Sequence, residues 1–283
     1  MSMLRPIIAA VLLLLCFCAH AAGELLGMAT IVDGAASLTR GAERYALAEG
    51  TRIQAGDIVD TTDATSVVQV ELLVGGVVQL GPASKLMLGG PTETAAYLLK
   101  GWLKVINNSG EHVLPALVMT PTLQIRTRPG AMVLQAIPSE TLVFAESGDT
   151  EILEPGASHG RRLASGQFYR SGAEEGRMNR PSREFLQSVP AQLRDSLPSR
   201  LARMRARDTA LTRITDFRYD EVAGWLQSEE SLRSTFVATW GPRLADPEFR
   251  AAIVQNIHLH PEWKSALGPT ARSVAEAAVK KTR

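Results

Sequence analysis

Apolar and polar residues alternate with a period of two in the first half of the chain. In the second half they recur at helical spacing. Val68, Val70 and Leu72 alternate with Gln69 and Glu71, the pattern of a half-buried strand. Gly75-Gly76 then separates this run from Val77-Val78-Gln79-Leu80, as expected of a hairpin with a tight turn. The pattern resumes at Lys85 to Leu88 after the Gly81-Pro82 break. Further short runs at 28–32, 35–39, 96–106, 123–127, 132–136, 142–145 and 151–153 predict additional strands. Turn residues fall between them at Asp33-Gly34, Gly89-Gly90-Pro91, Asn107-Asn108-Ser109-Gly110, Pro129-Gly130 and Gly148-Asp149. Strands spaced by roughly 8–12 residues leave no room for crossover helices. Residues 22–170 are therefore expected to form an all-β domain: a sandwich, a roll or a β-helix-like stack.

Residues 171–181 are polar and weakly patterned, as expected of a linker. Beyond them Leu197, Leu201, Met204, Leu211 and Ile214 recur at steps of 4, 3, 7 and 3, which predicts one apolar helix face. Asp220 and Ser228 stand where N-caps of two further helices belong. The phrases Asp246-Pro247-Glu248-Phe249 and His260-Pro261-Glu262-Trp263 repeat 14 residues apart. Each puts a capping residue before Pro at the first helical position and Glu in the first turn. The expected fold class is thus α+β as a two-domain chain, with an all-α domain of short helices over residues 182–283.

The 283 residues are 45% hydrophobic with a formal net charge of +1, which fits a globular chain and not a disordered one. No global basic excess exists to draw nucleic acid. At the N-terminus, Arg5 precedes the apolar run Ile7 to Ala19, and Ala19-His20-Ala21 supplies small residues at −3 and −1. This is the layout of a signal peptide over residues 1–21, with cleavage expected after Ala21 and a periplasmic destination. The run has 13 residues, short of the ~20 that span a bilayer, so no stable transmembrane segment is expected after cleavage. An uncleaved anchor is the alternative. Cys16 and Cys18 both lie in this segment, so the mature chain would have no disulfide, thiol nucleophile or Cys-ligated metal. Residues 22–170 hold 11 cations against 15 anions, and residues 171–283 hold 18 against 14.

A family resemblance is carried by several segments of the β half. They are Gly27-Met-Ala-Thr-Ile-Val-Asp-Gly34, Leu47-Ala-Glu-Gly50, Ala55-Gly-Asp-Ile-Val-Asp-Thr61 and Ser66-Val-Val-Gln-Val-Glu-Leu72. Gly76-Val-Val-Gln-Leu-Gly-Pro82-Ala-Ser84, Leu98-Leu-Lys-Gly101-Trp-Leu103 and Met119-Thr-Pro121 complete the series. In order and spacing they resemble the FecR-type domain, an all-β extracytoplasmic module named after bacterial regulators of iron-uptake sigma factors. The resemblance covers about residues 24–165. Independently of it, Gly50 and Gly56 suit turns with unusual backbone angles, and Asp57 can accept from nearby backbone amides. Signalling members of the family place a cytoplasmic segment and a membrane helix before this domain. With a signal peptide expected there instead, direct control of a cytoplasmic sigma factor is not expected. The sequence departs from the pattern at Val74-Gly75-Gly76 and around Arg128-Pro129-Gly130.

Gly156-Ala-Ser158-His159-Gly160 matches the spacing of a nucleophile elbow, but Pro155 precedes it and no convincing helix follows. His112, His159, His258 and His260 form no recognised ligand set, and His260 is read as the cap before Pro261. No nucleotide-binding fingerprint is present, so no cofactor is expected. The remaining cluster is Arg194, Arg200, Arg203, Arg205, Arg207 and Arg213, of which Arg200, Arg203 and Arg207 would form one helical stripe. Guanidinium groups recognise phosphate and carboxylate bidentately. Arg126 and Arg128, outward-facing if Leu123 and Ile125 face the core, form a second candidate. The expected function is a non-catalytic periplasmic binding or scaffold protein contacting an envelope protein or an anionic envelope polymer. The alternatives are the extracytoplasmic half of a signalling system and a serine hydrolase centred on Ser158.

Overall fold

The computed structural model describes residues 23–90, 94–107, 116–172, 177–178 and 180–268. The expected signal peptide, its two cysteines and His112 lie outside the described residues. Alternating apolar positions build the first strands: β1 (Leu25–Asp33), β2 (Ala36–Arg40), β3 (Glu43–Ala46), β4 (Arg52–Gln54), β5 (Asp57–Thr61), β6 (Val67–Leu72), β7 (Val77–Leu80) and β8 (Lys85–Leu88). They are followed by β9 (Thr94–Asn107), β10 (Ala116–Met119), β11 (Gln124–Ile137), β12 (Glu140–Leu153), β13 (Arg161–Leu163), β14 (Phe168–Arg170), β15 (Arg177–Met178) and β16 (Thr212–Arg213). All sixteen, among the described residues, join one hydrogen-bonded sheet whose longest path runs β15-β14-β12-β11-β10-β9-β8-β5-β2-β3-β16. Off that path β1 pairs with β4 and β6, β7 links β6 to β9, and β13 lies on β12. The described pairings are antiparallel except β9 with β10. The sheet curls around a core that includes Ala29, Leu38, Val59, Val68, Leu98 and Leu134.

Two expected turns are bends within long strands. The expected runs 123–127 and 132–136 merge into the single strand β11, which begins at Gln124, and 142–145 and 151–153 belong to the single strand β12. The register shifts between Thr127 and Gly130, where Gly130 lies opposite Gly148. Gly130 has φ 145° and Gly148 φ 71°, and a Cβ on either would overlap the facing backbone. These glycines bend a hairpin of two 14-residue strands instead of ending them. On one side of the bend β11 pairs with β9, on the other with β10.

The segments that carry the family resemblance meet at one buried corner. The Thr61 hydroxyl donates to the Gly81 carbonyl at 2.6 Å and accepts from the Ser84 amide at 3.0 Å. Ser84 Oγ accepts from the Trp102 amide at 2.7 Å and donates to the Pro82 carbonyl at 2.8 Å. This hydroxyl occupies the space a Cβ on Gly101 would need, and Gly101 has φ 92°. Gly101 is also where β9 stops pairing with β8 and goes on towards β7. A second lock lies at Asp57, which accepts from Arg40 Nε at 2.8 Å, Arg40 Nη2 at 2.6 Å and the Gln54 amide at 2.7 Å.

The two-domain fold class with an all-α domain is corrected by this structure. The second half is a set of short helices laid on the sheet: α1 (Arg183–Ser188), α2 (Ala191–Arg194), α3 (Leu201–Met204), α4 (Tyr219–Leu226), α5 (Glu230–Arg233), α6 (Thr235–Trp240) and α7 (Pro247–Gln255). Its apolar residues share cores with the strands. Phe185, Val189 and Leu193 pack with Trp102, Val133 and Phe168. Phe217, Trp225, Phe236 and Trp240 cluster with Ile58, Met87 and Tyr97. Tyr97 also donates its hydroxyl to Glu229 at 2.7 Å. Helices of one or two turns cannot enclose a core themselves, so the sheet supplies one side of it.

The predicted helix face over residues 197–214 does not form either. Only Leu201–Met204 is helical there, and β16 pairs with β3. The Glu71 carboxylate accepts from the amides of Arg200 at 2.6 Å and Leu201 at 3.2 Å and from the Ser199 hydroxyl. The chain is thus captured by the sheet before a longer helix can propagate. Of the predicted caps, Asp246 accepts from the amides of Glu248 and Phe249. The N-cap of α4 is Arg218 and that of α5 is Glu229, in place of Asp220 and Ser228. His260 occupies the cap position before Pro261 without a capping bond from its ring.

Candidate functional site

Arg126 and Arg128 point outward from β11, while Leu123 and Ile125 are buried, as their alternation requires. Antiparallel pairing sets Arg126 opposite Leu117 on β10 and Glu151 on β12, and Glu151 opposite Arg162 on β13. One row of four strands thus reads Leu117, Arg126, Glu151, Arg162. The loop from β12 to β13 folds back beside it and brings Ser158, His159 and Gly160 against the row. Gly160 lies against the Glu151 carboxylate, which would have to move aside for a Cβ there. The result is a groove of about 400 Å³ lined by Arg126, Glu151, Ser158 and His159. A second hollow of about 300 Å³, lined by Arg128, Asp149 and Arg162, shares Glu151 and Gly160 with the first.

The charges are only loosely matched. Arg126 Nη1 stands 3.7 Å from Glu151 Oε2, and both side chains are exposed. Arg162 pairs with Asp149. Arg128 pairs with no carboxylate among the described residues. Exposed pairs of this kind contribute little to stability and separate readily, which leaves three guanidinium groups able to meet an incoming anion. Sequence reasoning found Arg126 and Arg128. It missed Glu151 and Arg162, which become neighbours only through strand register.

Ser158 Oγ and His159 Nδ1 lie 2.8 Å apart on the exposed loop. The string sits between two strands, where a nucleophile elbow would join a strand to a helix. Among the described residues no acid bonds the far ring nitrogen of His159, so nothing orients the imidazole as a triad requires.

The arginines of the predicted stripe are divided by the structure. Arg200 precedes α3 and pairs with Glu49 at 3.1 Å. Arg203 lies within α3 and Arg207 beyond its end, both exposed and unpaired with any carboxylate among the described residues. Arg207 and Thr209 rest against Gly50, whose φ of 90° and missing side chain let the segment approach.

The histidines separate as well. His258 is exposed, whereas His260 is fully buried, with neither ring nitrogen bonded. Burial pushes the His260 imidazole down to about 4. Among the described residues no three His, Cys, Asp or Glu side chains form a group able to hold a metal ion. No described helix is long and apolar enough to cross a membrane.

No protein-family model matches the chain, and no curated protein matches it. Two crystal structures of a "putative anti-sigma factor" from Parabacteroides distasonis ATCC 8503, at 2.50 and 1.65 Å resolution, show partial similarity. Each has 16% sequence identity and a TM-score of 0.38. The overlap covers 46% of this chain and 62% and 65% of theirs, so the chain spans less than two thirds of those structures.

Proposed function

We propose that this protein is a non-catalytic, periplasmic binding protein built on a FecR-like β framework. Its occupant is an acidic segment of an envelope protein held in the β10–β13 groove. The reading makes the protein the extracytoplasmic part of a signalling system, acting by contact and not by turnover. The observation that supports it is the row Arg126–Glu151–Arg162, with Arg128 beside it, on a concave face. Arginine forks suit planar carboxylates, and Leu117 and Leu153 at the margin offer apolar contact to the rest of a peptide chain. The residues of the family resemblance support the framework only, since Thr61, Ser84 and Gly101 are spent on the buried corner.

Cross-linked pull-down from envelopes tests this reading. Wild-type protein should retain a partner that the double variant R126E/R128E loses while keeping its Tm. Retention by the variant would remove the groove from the argument. A second reading, hydrolysis at Ser158, draws on the 2.8 Å contact with His159. It requires turnover of an ester or envelope substrate that Ser158→Ala abolishes, and such a result would overturn the non-catalytic proposal.

A further inference from the structure

We infer that the β6–β7 hairpin tip, with Leu25 and the exposed arginines of residues 203–207, docks the protein on an anionic lipid bilayer. This contact lies apart from the groove and does not depend on it. Val74 is 71% exposed, Leu73 49% and Leu25 38%, three of the few large apolar side chains left in water among the described residues. They belong to one end of the β1–β6 ladder. The Leu73 amide donates to the Leu26 carbonyl at 2.9 Å, and Gly27 stands opposite Leu72. Gly75 and Gly76, at φ 94° and 102°, close the turn that holds Leu73 and Val74 outward.

An arginine segment crosses the strands that lead to this tip, from Glu71 on β6 to Gly50 before β4. Glu71, two residues before Leu73, binds the amides of Arg200 and Leu201 and so fixes the arginine segment across the same pair of strands. Arg203, Arg205 and Arg207 are exposed and pair with no described carboxylate. The neighbouring acids are largely engaged: Glu49 with Arg200 at 3.1 Å, and Asp208 with Arg52 at 3.4 Å. Exposed Glu24, beside Leu25, opposes the cations in part.

A bilayer fits this arrangement better than a protein cleft does. The apolar residues project from a hairpin end, and such a tip enters the headgroup layer while arginines around it meet lipid phosphates. The apolar run Ile7 to Ala19 ends six residues before Leu25, a reach of at most ~20 Å of extended chain. A leader kept as an anchor would therefore hold this end of the sheet next to the membrane.

Co-sedimentation with vesicles tests the inference, comparing phosphatidylglycerol–phosphatidylethanolamine with pure phosphatidylcholine. All proteins are purified in the same form, so any effect of residues 1–22 is common to them. Wild type should favour the anionic vesicles at least tenfold, and the preference should shrink as salt rises. L73S/V74S should weaken binding to anionic vesicles about tenfold, and R203Q/R207Q by at least as much. Both pairs are exposed, so an unchanged Tm is expected and serves as the folding control. Equal binding to both lipids, or double variants that bind like wild type, would overturn the inference. A photo-cross-linker at position 74 that captures a protein in envelopes, with no lipid preference in vesicles, would overturn it in favour of a protein partner.

Discussion

At Gly101 and at Glu71 the chain meets the same problem, a turn shielded fully at one and partly at the other whose amides need partners, and solves it in opposite ways. At Gly101 the solution is local to the sheet. Positive φ and a missing Cβ admit the Ser84 hydroxyl, which takes the Trp102 amide. At Glu71 a strand residue satisfies amides about 130 positions further on, at Arg200 and Leu201. Burial alone would push the Glu71 carboxyl up. Those amides and the Ser199 hydroxyl outweigh it and hold the carboxyl below its usual range. The β framework carries its own turn instructions, while the helical cover takes its shape from the sheet beneath it.

The strongest test of that contrast is Trp225→Ala in α4. Its ring packs 5.9 Å from Tyr97 on β9 and 6.1 Å from Phe236. The loss should be about 3–5 kcal/mol. Because the core is shared, denaturant unfolding should remain one transition at a lower midpoint. A separate early transition of the helices would show an independent domain after all. Gly101→Ala should cost about 3 kcal/mol, from a strained φ together with a clash against Ser84. A loss below about 1 kcal/mol would show that the corner is not rigid.

The next effect concerns pH. His260 has its folded pKa lowered to about 4, beneath an unfolded value of 6.5. Between these values the unfolded chain binds the proton and the folded chain does not. Stability should therefore fall as pH falls through this window and level off below it, by up to about 3 kcal/mol. His260→Phe should flatten that slope in urea titrations at pH 6.5 and pH 4.5. Smaller again, Glu71→Gln should cost about 1–3 kcal/mol, since it weakens charge-assisted bonds to half-buried amides. Arg200→Gln, which removes only the half-exposed pair with Glu49, should cost less than about 1 kcal/mol. If these two variants proved equally mild, the capture of the cover by Glu71 would be incidental.

The strands were legible because alternation is a local property. Val77–Leu80 and Lys85–Leu88 fall on the expected residues, and β6 contains the whole alternating run Val68 to Leu72. Pro129-Gly130 and Gly148-Asp149 were misread, because a glycine that bends a strand and one that ends it look alike until its facing strand is known. In the candidate site, alternation about Leu123 and Ile125 was enough to turn Arg126 and Arg128 outward. It did not show that Glu151, Arg162, Ser158 and His159 would face them.

The sequence by itself determined the β grammar of residues 23–170, the outward arginines of β11 and the capping role of Asp246. These depend on side-chain period and on bonds within a few residues. Tertiary structure alone decided that the second half would be a cover and not a domain. It also stopped the 197–214 pattern after one turn of helix, and it assembled the groove from four strands and a loop. Each of those outcomes depends on a group distant in sequence (Tyr97 under Trp225, Glu71 at Arg200, Glu151 between Arg126 and Arg162), and no local period encodes which distant group will be there.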